Sequence, residues 1–190
     1  KGLFYGTQTL LQLMTEGIHR ELEIIDWPRN VTRGFHLEVR YGMPDYDRIL
    51  EIIDEAAHYK FNTLLMEFED KFPYASALGI SSANALSPEQ VRNLEIYAKN
   101  RCIGIIPLQQ TLGHLEYVLK KGEYHHLREV REEYDREGLP FSKQLLGPNV
   151  FNTIDEICIS NEEACKLVEK LLGDVISLFP ESQYIHIAGD

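Results

Sequence analysis

Along residues 35–188 the hydrophobic period switches repeatedly between two and about 3.6, and this alternation constrains the fold more than any other feature. Residues 35–39 alternate apolar and polar side chains. Residues 45–60 then place Ile49, Ile52, Ile53, Ala56 and Ala57 on one helical face, opened by Pro44-Asp45. Residues 63–68 are again strand-like. Ser87-Pro88-Glu89-Gln90 supplies an N-cap, a proline at the first helical position and a capping-box glutamine, ahead of Val91, Leu94, Tyr97 and Ala98. Residues 103–108 form a continuous apolar run, as expected of a strand buried on both faces. Ser160 or Asn161 opens a helix carrying Ala164, Leu167, Leu171 and Val175, stopped by Pro180, and residues 184–188 are the fourth strand. Strands that alternate with helices of this length need crossover connections and a parallel sheet.

Doubly wound and barrel folds share this signature. No GxGxxG or GxxxxGK follows the first strand, so a nucleotide fold has no support. Polar groups gather after the strands instead: Arg40 after the first, Glu67, Glu69 and Asp70 around the end of the second, Gln109, Gln110 and His114 after the third, Asp190 after the fourth. The C-terminal ends of the strands are where a β/α barrel mounts its chemistry. The expected fold class is therefore α/β, a (β/α)8 barrel of the TIM type. A whole barrel takes about 250 residues and eight strands, so this chain is expected to supply the first four strands, a half barrel. Residues 3–14 form a leading helix and residues 26–30 a linker, so 1–32 is assigned to the tail of a preceding α/β domain and 33–190 to the N-terminal half of the barrel. The start at Lys1 and the end at Gly189-Asp190, directly after a strand-like run, fit a segment of a longer chain. The connection over 111–161 is long enough to suggest a functional loop, with a short helix over 114–120 and a charged stretch over 127–137.

Charge removes several partners. Lys plus Arg total 19 against 30 Asp plus Glu, a formal charge of -11, and such a field repels phosphate backbones, so nucleic acid is not an expected partner. No apolar run reaches the roughly 20 residues of a membrane span, and the first twelve residues lack the layout of a signal peptide. No membrane partner is expected. Cys102, Cys158 and Cys165 follow no disulfide or zinc spacing; as free cysteines they favour the cytoplasm, the compartment being otherwise open. No cofactor and no metal site is expected.

Acidic residues at strand ends suit glycoside hydrolysis, in which a carboxylic acid protonates the leaving oxygen and a negative group steadies the cationic sugar. The competing reading is structural: Glu69 and Asp70 cap a loop or pair with Lys71. His114 follows Gly113 after an apolar strand, which lets the backbone turn and aim the imidazole into the barrel mouth. His186, Ala188 and Asp190 share a face if the fourth strand continues; alone, His186 fits a hydrogen-bonded core residue better than a catalyst. His125-His126 suits a surface role. Phe68, Phe72, Tyr74 and Tyr117 serve equally as sugar platforms or as loop packing.

The stretches Tyr5-Gly6-Thr7-Gln8-Thr9-Leu10, Asp26-Trp27-Pro28 and Arg33-Gly34-Phe35-His36-Leu37-Glu38-Val39-Arg40 resemble the start of the catalytic barrel in the β-N-acetylhexosaminidases of glycoside hydrolase family 20. The closing His186-Ile187-Ala188-Gly189-Asp190 is similar to that family's His-x-Gly-Gly-Asp-Glu strand. Glu67-Phe68-Glu69-Asp70-Lys71-Phe72-Pro73-Tyr74 and the run from Ile106 to Leu119 look closest to the hexosaminidase D branch.

The resemblance implies a glycosidase that releases terminal β-linked N-acetylhexosamine from a glycan or glycoside by substrate-assisted retaining hydrolysis. By position it assigns Asp190 to orient the 2-acetamido group, a glutamate directly after Asp190 to act as general acid, and Arg33 to grip sugar hydroxyls. It adds His114, Glu69, Asp70 and His186 to the substrate-binding set. Three positions depart from the family pattern: Gln110 where an acid is usual, Glu38 where Asp is usual, and Ala188 in place of Gly. The alternatives are a non-catalytic carbohydrate-binding or structural barrel, and a metal-dependent barrel enzyme using Glu67, Glu69 and His114. A half barrel by itself is expected to lack activity and to self-associate through its open sheet edges.

Overall fold

The computed structural model describes residues 1–40, 45–129 and 156–189. Helix α1 spans Gly2–Thr15, close to the expected leading helix, and Gly17 at φ 68 ends that segment in the left-handed region that glycine tolerates. Strand β1 (Gly34–Glu38), helix α2 (Tyr46–His58), strand β2 (Thr63–Glu67), helix α3 (Pro88–Asn100) and strand β3 (Gly104–Leu108) follow in the expected order. A short helix α4 covers Glu116–Leu119 and a long helix α5 covers Glu162–Leu178.

The three strands pair in parallel in the order β1-β2-β3, with His36 beside Leu65 and Ile106, and Glu38 beside Glu67 and Leu108. Parallel pairing brings all three C-terminal ends to one edge. The helices form where the sequence places their caps. Ser87 accepts from the Gln90 amide at 3.1 Å while the Gln90 side chain accepts from the Ser87 amide at 2.8 Å, the reciprocal capping box. Asn161, of the two candidates, caps α5 through Glu163 N at 2.9 Å.

The apolar faces of these helices meet one face of the sheet. Ile49, Ile53, Ala56 and Ala57 of α2, Val91, Leu94 and Ala98 of α3, and Leu167, Leu171 and Val175 of α5 are buried, together with Leu64, Met66 and Ile105. The other face is less covered. His36 and Glu38 are exposed and Leu65 and Ile106 half-buried, so β3 is not buried on both faces as its apolar run implied.

The fourth strand is the main correction. Residues 184–188 make a single parallel bridge, Leu108 to His186, with His186 N donating to Pro107 O and Gln109 N donating to His186 O, each at 2.9 Å. The ladder then stops, and among the described residues the sheet has three strands. The next group needed to continue it, Ala188 N, donates instead to His186 Nδ1 at 3.1 Å, and Thr111 Oγ1 donates to Ile187 O at 2.6 Å. Ala188 at φ 51 and Gly189 at φ 111 leave extended geometry altogether.

Residues 1–32, the expected tail and linker, dock on the start of the α/β unit: Gln12 Nε2 donates to His58 O at 2.7 Å, and Lys60 Nζ reaches Thr9 Oγ1 at 2.6 Å and Asp26 at 3.1 Å. Within the long connection, α4 falls inside the expected 114–120 helix, while most of the charged stretch over 127–137 lies outside the described residues. No described helix is long and apolar enough to cross a membrane, and all three cysteines are free.

Leu64 sits fully buried at the middle of the sheet, where its removal leaves a cavity that parallel strands cannot collapse around. Leu64→Ala is expected to cost about 2–5 kcal/mol of unfolding free energy, measured by urea denaturation. A loss below about 1 kcal/mol would show that the helices do not close tightly on β2.

Candidate active site

At the C-terminal edge of the sheet, Arg40, Glu69, Asp70, Lys71, His114, Glu116, Tyr117 and Lys120 line one cleft. Each element delivers a different part. β1 runs out into Arg40, whose Nε donates to Glu38 at 2.9 Å and whose Nη1 donates to Glu69 at 3.0 Å. β2 runs into a 3-10 turn over Glu69–Lys71, in which Glu69 takes φ 46 and is buried. β3 leads to a turn in which His114 takes φ 54. A left-handed residue other than glycine costs roughly 1–2 kcal/mol, so both side chains are held by their surroundings against a local preference.

Burial by itself would lower the Arg40 guanidinium; its hydrogen bond and charge pairing with Glu69, with Glu67 and Glu38 behind them, outweigh burial and raise it. Glu69 also lies above the ordinary glutamate range. Burial raises it more than the Arg40 hydrogen bond and charge lower it, and the neighbouring Glu67 and Asp70 add to the rise. Arg40 is cationic at any working pH, so the protonation of Glu69 decides the charge of the pair.

Beneath the cleft is a buried polar network. Tyr74 donates to Gln109 Oε1 at 2.7 Å, the Tyr74 and Tyr117 hydroxyls lie 3.1 Å apart, and Gln109 Nε2 donates to Tyr117 at 2.9 Å and to Gln110 O at 2.8 Å. Burial raises both phenols, which keeps them neutral donors. Gln110 Nε2 donates to Glu67 Oε1 at 2.8 Å, and the second Glu67 oxygen lies 3.2 Å from His36 Nε2.

The sequence-derived residues separate into three groups. Glu69, Asp70 and His114 meet in the cleft, and Asp70 also pairs with Lys71 at 3.0 Å, as its structural reading expects. Arg33 is a correction. It precedes β1 and lies at the opposite, N-terminal edge of the sheet, where its guanidinium donates to the carbonyls of Lys60 at 2.8 Å and Asn30 at 3.0 Å and stands over the Tyr5 ring. Seven residues of near-extended chain, roughly 23 Å, separate it from Arg40. His186 bridges to β3 and does not line the cleft; the turn at Ala188 breaks the alternation that would align it with Asp190, and Asp190 lies outside the described residues.

The side chains that sequence reasoning missed are Arg40, as the cleft cation that pairs with Glu69, and the Glu67–Gln110 pair; their signal was their place immediately at or after a strand end. Phe68, Phe72 and Tyr74 are buried in loop packing, and of the four aromatics only Tyr117 borders the cleft. His126 pairs with Glu163 at 3.0 Å on the surface. The metal set Glu67, Glu69 and His114 is not assembled; among the described residues only His36, Glu38 and Glu67 bring ligand atoms within 4.8 Å of one another, and there Arg40 already stands on Glu38.

The sequence from residue 73 to 190 matches the model of the glycosyl hydrolase family 20 catalytic domain. The chain is 30% identical to bovine and 31% identical to human hexosaminidase D over 159 residues, 83% of this chain. It spans 40% of the length of the bovine relative and 29% of the human one. Among solved structures it is similar to a β-N-acetylhexosaminidase from Bacteroides fragilis, at 26% identity and a TM-score of 0.68, over all of this chain and 38% of that one.

The raised Glu69 gives a stability test whose sign follows from linkage. A folded-state pKa above the unfolded value contributes stability that is complete below the ordinary glutamate value of about 4.3 and is lost as pH rises through the folded value. Glu69→Gln removes that contribution, so the variant's stability relative to the parent is expected to improve from about pH 3.5 to about pH 7. Urea denaturation at a series of pH values reads the difference; a difference that falls with pH would place the Arg40 pairing above burial.

Proposed function

The chain belongs to glycosyl hydrolase family 20, and on that footing we propose that the protein is an exo-acting β-N-acetylhexosaminidase, releasing terminal β-linked N-acetylglucosamine or N-acetylgalactosamine. The observation that carries the reading is the cleft itself: a buried Arg40–Glu69 pair with Asp70 and His114 at the C-terminal strand ends. Its relatives named hexosaminidase D support it.

A sugar presents neighbouring hydroxyls that a planar guanidinium grips with two parallel donors while carboxylates accept from the same hydroxyls. In this reading Arg40, held by Glu69, takes the place first assigned to Arg33, and Asp70 and His114 complete the grip. The reaction is substrate-assisted. The carbonyl oxygen of the 2-acetamido group attacks the anomeric carbon as the glycosidic oxygen takes a proton from the general acid and departs. Water, returning a proton to the general acid, then attacks the anomeric carbon of the resulting oxazolinium from the face the departed group left; the bond from that carbon to the acetamido oxygen breaks, the ring opens and the configuration is retained. Asp190 orients the acetamido group and steadies the positive charge of the ring; the general acid is the glutamate that follows the Gly-Asp pair in the family's motif.

The full-length protein is expected to cleave an aryl N-acetyl-β-glucosaminide and to leave the aryl β-glucoside, which lacks the acetamido group, intact. Equal rates on the two would overturn the substrate-assisted reading. Asp190→Asn is expected to lower turnover by about 100- to 1000-fold, the loss typical of removing one preorganised stabilising group, with a smaller effect on binding. Turnover close to that of the parent would remove Asp190 from the mechanism.

A further inference from the structure

Glu67 ends β2 without touching the cleft, yet it is connected to both sides of it. Its carboxylate is almost fully buried, with Gln110 Nε2 on one oxygen at 2.8 Å and His36 Nε2 on the other at 3.2 Å. Through Gln110 it holds the end of β3. The Gln110 carbonyl is fixed in turn by the Gln109 amide, which is bound to Tyr74 and Tyr117, and Tyr117 and His114 are cleft residues. Its charge also acts on Arg40 and Tyr117.

Position 110 is as constrained as position 67. Two carboxylates at this separation cannot both ionise and would share a proton, which would remove the fixed charge and push the strand ends apart. An amide opposite a carboxylate avoids this, because it donates one hydrogen bond and adds no charge. We propose that Glu67 is a positioning residue of the site: with Gln110 it forms a one-acid, one-amide pair that sets the geometry of the β2 and β3 ends, and hence of Arg40 and the His114 turn. The hydrogen bond between the two side chains survives their exchange, although Gln110 Oε1, unlike the second Glu67 oxygen, is buried without a partner. With the two side chains exchanged, the amide at the end of β2 donates to the carboxylate beyond β3, and the amide oxygen still accepts from His36.

This inference rests on the proposed glycosidase activity, and a charge swap tests it in the full-length protein. Glu67→Gln keeps the shape and removes the charge; it is expected to lower kcat by about tenfold at a nearly unchanged melting temperature. Gln110→Glu is expected to lower kcat/KM by about 100-fold, and adding Glu67→Gln to it to recover all but about tenfold of the parent's value. A double variant as poor as Gln110→Glu overturns the pair. Losses that follow the melting temperature alone, with kcat per folded site and KM unchanged in all three variants, assign the pair to stability and overturn the positioning role. A parent protein inactive on every N-acetylhexosaminide brings down the proposed function and this inference together, whereas an active parent with no rescue brings down this inference alone.

Discussion

The in-register pairing of three parallel strands governs the rest of the structure. With Glu38, Glu67 and Leu108 side by side, every chain segment that leaves the sheet does so at the same level, so residues far apart in sequence arrive at one edge. Arg40 and Glu69 meet across 29 positions, Tyr74 and Gln109 across 35, and Glu67 and Gln110 across 43. A slip of one residue in β2 would turn Glu67 onto the apolar helix side and Met66 toward the site. The buried faces of α2, α3 and α5 forbid that slip, because Leu64 and Met66 have no other place to be dry.

Local strain sits where the chain enters and leaves the strands, at Lys60 and Cys102 ahead of β2 and β3 and at three residues on the cleft side. Glu69, His114 and Ala188 all adopt positive φ without being glycine, each beyond the end of a strand or bridge. Each is held by its neighbours: Glu69 by Arg40, the His114 turn by the buried Gln109–Tyr117 network, Ala188 by the His186 imidazole on its amide. A change that loosens one of these partners is therefore felt at the cleft even when the sheet is untouched.

What could be read in advance was what depends on period and capping. The three strands, the helices between them and the Ser87 capping box follow from residues close in sequence, and so did the placing of Glu69, Asp70 and His114 after strands. Arg33 comes from the resemblance, by its place in the entry motif, whereas the order of the chain already puts Arg40, and not Arg33, at the C-terminal end of β1 where the cleft forms. The fourth strand shortens to a bridge where the His186 imidazole takes the Ala188 amide that the ladder would use, and that competition leaves no periodic trace. The tyrosine–glutamine network was invisible for want of any local signal, its members being spread from Tyr74 to Tyr117.

The electrostatics of the cleft tie the proposed chemistry to the fold. In and around the cleft Glu38, Glu67, Glu69, Asp70 and Glu116 stand against Arg40, Lys71 and Lys120, an excess of carboxylates in a place where burial already raises Glu69. Such an excess disfavours compactness unless something positive is to be held there. Under the glycosidase reading, that something is the charge that develops on the sugar ring and its acetamido group as the glycosidic bond breaks. Amides at Gln109 and Gln110 and neutral phenols at Tyr74 and Tyr117 then make chemical sense together. They carry the hydrogen bonds that fix the strand ends while adding no charge, so the negative field comes from the carboxylates around them, most of them placed at the edge by β1 and β2. A further ionised acid on β3 would deepen the field, but it would have to share a proton with Glu67 and give up the geometry that aims it.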